Sequence, residues 1–160
     1  MPLSLYEITI PAFLKNLRIL SKLLQKGESH VSSPDTLLGA RLIADMEPLT
    51  YQIQRVSDTA KGVAVRVGKA APVAMEDNEK TFAELQARIQ KTIEVLENLD
   101  PKSMDGKEDD EVEVSGRKVK ARDYITSFAI PNFYFHHVTA YALLRKEGVP
   151  IGKKDYLGLV

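Results

Sequence analysis

His136 and His137 are the residues of this 160-residue chain best suited to chemistry. An imidazole can bind a divalent metal, carry a proton near neutrality, or sit uncharged in a core. Being adjacent, the two project about 100° apart on a helix and cannot both hold one ion without distortion. A helical two-histidine motif needs a spacing of three or four. Four residues before His136, on the same face, stands Asn132, whose amide oxygen is a much poorer ligand for zinc or nickel than imidazole. Asn132 and His136 therefore read as a weakened His-x-x-x-His pair. Asp45 is the third candidate. It falls three residues after Leu42 and four before Leu49, on the flank of an apolar helical face, either at the edge of the core or in a site.

Two readings of His136 stand side by side. It is a buried histidine satisfied by hydrogen bonds to Asp45 or Asn132, or it belongs with them to a polar or metal-binding cluster. Pro131 gives Asn132 a second purpose, because a proline there frees a carbonyl near residue 127 and kinks the helix. His137 reads as a packing or surface residue and His30 as an exposed loop residue. The aromatic set Phe128, Phe133, Tyr134, Phe135 and Tyr141 spans all faces of its helix, which suits core plus subunit interface better than a cofactor box.

Other chemistries drop out. There is no cysteine, hence no disulfide, thiolate catalysis or cysteine zinc site. Lys and Arg equal Asp and Glu at 22 each, so no overall field draws the chain to nucleic acid or an anionic membrane. The stretch Gly148 to Asp155 lacks the spacing and setting of a phosphate-binding loop, and no Ser-His-Asp triad can be assembled. The N-terminus lacks the basic start and long apolar run of a secretion signal, and no apolar run reaches membrane-spanning length. The expectation is a single soluble, cytoplasmic domain over 1–160.

Helical periodicity supplies the elements that must carry these residues. The first helix starts at an N-cap Ser4, is interrupted by Pro11 and ends at Gly27. A second starts near Pro34, is capped by Ser33 or Asp35, and continues to about Ala60 with a bend at Pro48. A loop over residues 70–78 precedes a third helix from about Glu79 to Leu99, where Thr81 and Glu84 have capping-box spacing. Val112 and Val114 alternate with glutamates, Ser115-Gly116 turns the chain, and Arg117 to Lys120 alternates in reply, as in a small β-hairpin. Asp123 caps the fourth helix, which carries the histidines and stops at Gly148. That helix is nearly uncharged on every side, as a buried one is. The tail Ile151 to Val160 is expected to fold back, without helix, across the bundle or a second subunit. The fold class is all-α: a four-helix bundle with a small β-hairpin before the last helix and an extended C-terminal tail.

Three stretches resemble a known family. Pro131 to Gly158 looks like the C-terminal signature of an uncharacterised domain-of-unknown-function family, and Arg41 to Leu49 and Thr81 to Ile93 look like its other two. The resemblance spans about Ser4 to Gly158. That family is similar to the DinB/YfiT-like superfamily of metalloenzymes, which implies an up-down-down-up bundle, often a homodimer. It also implies a divalent metal held by three histidines, one from the second helix and a His-x-x-x-His pair from the fourth. Carried over residue by residue, the pair falls on Asn132 and His136 and the second-helix position near Asp45. Only one of the three is a histidine. The expectation is therefore a non-catalytic or small-ligand-binding dimeric bundle with a degenerate metal site. The alternative is a divalent-metal enzyme of hydrolase or thiol-transferase type using Asp45, Asn132 and His136.

Overall fold

Ser4 opens the first helix. Its hydroxyl accepts from the Glu7 amide and the Glu7 carboxylate accepts from the Ser4 amide, satisfying two donors that the helix itself cannot. In this computed structural model, which describes residues 3–160, α1 runs unbroken over Leu5–His30. Met1 and Pro2, part of the stretch assessed for a secretion signal, lie outside the described residues. Pro11 sits inside α1 without dividing it, and Gly27 does not end it. A β-carbon at Gly27 would lie 2.9 Å from Cδ2 of Leu144, so the glycine serves close approach to the last long helix. His30 closes the helix and is exposed.

The expected second helix is divided. α2 covers only Asp35–Leu38, the chain is irregular through Glu47, and α3 covers Leu49–Arg66 with Pro48 as its N-cap. Proline has no amide to donate and pushes the residue before it out of the helical region, so one helix stops ahead of it and another begins beyond it. α4, Phe82–Glu97, carries the capping box of Thr81 and Glu84.

α3 and α4 are parallel: Ser57 meets Thr92 at 2.7 Å, and Gly68 meets Leu99 past their C-terminal ends. Their connection must therefore return along the bundle. Residues 67–81 do so as a strap running antiparallel to α3, with Lys61 donating to the Val73 carbonyl at 3.3 Å and Gln54 to Glu79 at 2.9 Å. Arg55 pairs with Asp77 between them. Arg88, its side chain 2% exposed, fastens the strap from α4. It donates to the Glu76 carbonyl at 3.1 Å, Glu79 at 2.7 Å and Asp58 at 2.8 Å, and lies 3.0 Å from Asp77.

The hairpin pairs β1, Glu111–Val114, with β2, Arg117–Lys120, setting Val112 opposite Val119. Ser115 and Gly116 have φ of 51° and 76°, the two left-handed residues of a turn whose twist matches that of the strands. The last long helix follows at once. It consists of α5, Ala121–Tyr124, one π-helical turn, Ile125–Ala129, and α6, Ile130–Lys146. Lys120, not Asp123, is the N-cap. The π turn answers Pro131, which supplies no amide: the Ile130 amide bonds back five residues to the Ile125 carbonyl. The tail does contain helix, α7 over Lys153–Leu157, and folds onto α1, where Lys26 pairs with Asp155.

α1 and α3 each pack on both α4 and α6. α6 is parallel to α1, with Phe13 stacked on Phe133, and antiparallel to α3, with Arg66 at Tyr124 and Gln52 at His136. The directions are thus up, down, down, up, and a core of aliphatic and aromatic side chains fills the centre. Among the described residues no helix is long and apolar enough to cross a membrane.

Candidate functional site

The antiparallel faces of α3 and α6 bring four polar side chains together at two levels. At one level, Nδ1 of His136 and Oε1 of Gln52 are 2.7 Å apart. The Gln52 amide nitrogen is committed to the Glu47 carbonyl at 2.9 Å, so its oxygen is the acceptor and the imidazole donates from Nδ1. At the other level, Asn132 donates to the Thr59 hydroxyl at 2.8 Å, and that hydroxyl donates to the Arg55 carbonyl at 2.7 Å. Gln52 and His136 are both buried. Tyr51 and Phe135 flank the imidazole in T-shaped contacts at centroid distances of 6.0 and 5.0 Å, and Arg55 lies over the Tyr51 ring. Burial, and then the charge of Arg55, push His136 down to about 4, so it is neutral at pH 7.

Asp45 does not join this cluster. It lies exposed on the irregular segment ahead of Pro48, and no hydrogen bond links it to Asn132 or His136. Its helical phase was counted through a helix that does not exist there. The residue that meets His136 from the second bundle helix is Gln52, one turn into the real α3. Its signal in the sequence was a glutamine beside an apolar stripe, legible only once the helix start is placed after Pro48. Thr59, Tyr51 and Arg55 were likewise not anticipated.

His137 faces the other way, into the bundle, and is fully buried. Its Nε2 lies 3.1 Å from the Asn16 carbonyl and donates to it, while Nδ1 has no partner among the described residues. Phe133 stacks on the ring and Tyr156 of α7 covers it at 4.8 Å. Burial pushes this imidazole down to about 4 as well. It is a core residue.

The donor set does not suit a divalent metal. Gln52, Asn132 and His136 would offer two neutral amides and one imidazole beside a guanidinium, with no anionic ligand, and the Gln52 oxygen is already bound by the imidazole. Among the described residues no three His, Cys, Asp or Glu side chains form a metal-binding group. What the arrangement does chemically is cross-link two helices with two neutral hydrogen bonds, one buried and one half-buried, each contributing about 1 kcal/mol.

Bundle direction and the long crossover strap together define an up-down-down-up four-helix bundle. A DinB family member protein from Shewanella denitrificans superposes with a TM-score of 0.90 at 35% identity, covering 96% of this chain and 92% of that one. A DinB-like protein from Bacillus subtilis does so with a TM-score of 0.60 at 14% identity, covering 89% and 95%, and shares the fold alone. No curated protein matches the chain. The family model described as a domain of unknown function, DUF1993, matches residues 5–157, and the chain belongs to that family.

Proposed function

We propose that this protein is a non-catalytic helical bundle in which the place of a metal site has become a clasp between α3 and α6. The observation that carries the reading is the His136–Gln52 hydrogen bond, in which the imidazole proton is spent on a buried amide whose own nitrogen is spent on the Glu47 carbonyl. Asn132 clasps Thr59 one level away. Asp45, outside the clasp, has no role in it. Nε2 of His136 bonds to no described residue, and its lone pair is the point at which a small hydrogen-bond-donating ligand would attach. A cysteine-free chain also fits the reducing cytoplasm, where disulfides contribute nothing.

The same free Nε2 favours the second reading, a divalent-metal enzyme that recruits Asn132 and draws Asp45 inward. Metal analysis of tag-free protein, with zinc and nickel titrations followed by thermal denaturation, separates the two. The clasp predicts no stoichiometric metal, no metal-dependent rise in Tm, and a loss of stability in His136→Ala. One bound equivalent that disappears in His136→Ala would overturn it.

A further inference from the structure

The hairpin does not close fully on the last long helix. Its register puts Val112, Val114, Arg117 and Val119 on one face, because directly opposed residues and residues two apart share a side of the sheet. Val112 is buried under that face, but Val114 and Val119 are only half covered. Between them and the π turn runs a groove of about 320 Å³, within the size range of small-molecule sites. Its apolar lining is completed by Tyr124 and Phe128, whose rings stack at 6.0 Å and 22° into one flat aromatic surface, with Phe128 46% exposed. The polar lining is Ser115, Ser127, Arg117 and Asp123, and none of these side chains has a hydrogen-bond or ion-pair partner among the described residues. Their neighbours outside the groove differ: Lys118 pairs with Glu111, and Lys120 and Arg122 pair with Asp109. The two charges left free are the two that line the groove.

We propose that this groove binds a small zwitterion with a flat apolar body, of the class of the aromatic α-amino acids. The body lies on the Phe128 ring against Val114 and Val119, the carboxylate takes the donor fork of the Arg117 guanidinium, and the ammonium pairs with Asp123. Charge complementarity selects this class. An apolar acid would bring its carboxylate beside Asp123, an apolar amine would bring its cation beside Arg117, and like charges set side by side cost affinity. A neutral apolar molecule would strip water from both groups and give them no partner in return. The π turn supplies Ser127 and Phe128, and single π turns within helices recur at functional sites. The groove shares no residue with the clasp at His136, so the two readings stand independently.

The test is an NMR titration of the full chain with L-phenylalanine to about 10 mM, following the backbone amides. Saturable shifts centred on residues 114–128 are expected. Phenylalaninamide, which lacks the carboxylate, N-acetylphenylalanine, which lacks the ammonium, and alanine, which lacks the ring, should each bind about tenfold more weakly or worse. Arg117→Gln should erase the preference for phenylalanine over its amide, and Asp123→Asn the preference over the N-acetyl form. Both positions are exposed, and an unchanged circular dichroism spectrum shows that each variant keeps the fold. No saturable shift, shifts centred elsewhere, equal binding of the singly charged analogues, or variants that retain the wild-type preferences would each overturn the proposal.

Discussion

Lowering the pH from 7 to 5 is expected to remove about 2 kcal/mol of stability for each of His136 and His137, about 4 in all. The reasoning starts from the two rings. His137 gives its one proton to the Asn16 carbonyl through Nε2, and a second proton would have to enter at Nδ1, buried with no acceptor between Phe133 and Tyr156. His136 spends its Nδ1 proton on Gln52 and lies beside the positive Arg55. Both are pushed down to about 4 from the ordinary 6.5. Folding thus favours the neutral forms. Their contribution is complete above 6.5, is lost as pH falls toward 4, and gives no further slope below that. Within the window each histidine contributes up to about 1.4 kcal/mol per pH unit. Urea unfolding at pH 7, 6 and 5 reads this directly, using wild type, His136→Gln, His137→Gln and the double variant. Each single variant should lose about half of the wild-type slope and the double variant nearly all of it, whatever its stability at pH 7. A double variant with the wild-type slope, or a wild type flat over this range, would refute the assignment of both rings as buried and neutral.

Arg88→Met should cost about 3–5 kcal/mol in urea unfolding, because it leaves the buried Glu79 carboxylate without its cation, Asp58 and Asp77 keeping Arg55; amide exchange should rise over residues 73–79. Burial raises the Glu79 carboxyl, but its hydrogen bond from Arg88 and then that from Gln54 hold it below 4.5, so its stabilisation is present above 4.5 and lost in more acid solution. Arg88→Met should lack that acid-dependent part of the decline. Gln52→Leu leaves the His136 Nδ1 proton and the Glu47 carbonyl without their partner and should cost about 1–3 kcal/mol by thermal denaturation. Removing residues 153–160 takes away Tyr156 and the Lys26–Asp155 pair; by NMR titration, His137 should then titrate closer to 6.5.

Some of this fold was legible because the signal is local. Ser4 and Glu7, Thr81 and Glu84, and the Ser115-Gly116 turn each satisfy their backbone within four residues, and each appears where its pattern placed it or completes a cap already placed. Asn132 and His136 kept their shared face because both lie on α6 beyond the π turn. The prolines were not legible in this way. Pro11, Pro48 and Pro131 all interrupt apolar helical patterns, yet one is absorbed, one separates two helices and one produces a π turn. Which outcome wins depends on whether the apolar residues on either side can be buried by one straight axis, a tertiary matter. Asp45 was misplaced for this reason: its phase relative to α3 was counted across Pro48.

Pro131 also explains how one helix serves two neighbours. The π turn adds one residue to a helical turn and so rotates α5 by about 100° relative to α6. Tyr124, 2% exposed, places its hydroxyl 3.3 Å from Arg66 of α3 and stacks on Phe128, ring centroids 6.0 Å apart, which is 46% exposed. Beyond the π turn, Asn132 and His136 point to α3 and Phe133 and His137 to α1. The proline costs the helix one amide, and the π turn that answers it lets an almost uncharged segment pack on α1 and α3 at once. Pro131→Ala should therefore disturb the Arg66–Tyr124 contact while sparing the His136–Gln52 bond, a difference that NMR chemical shifts at Tyr124 and His136 would read.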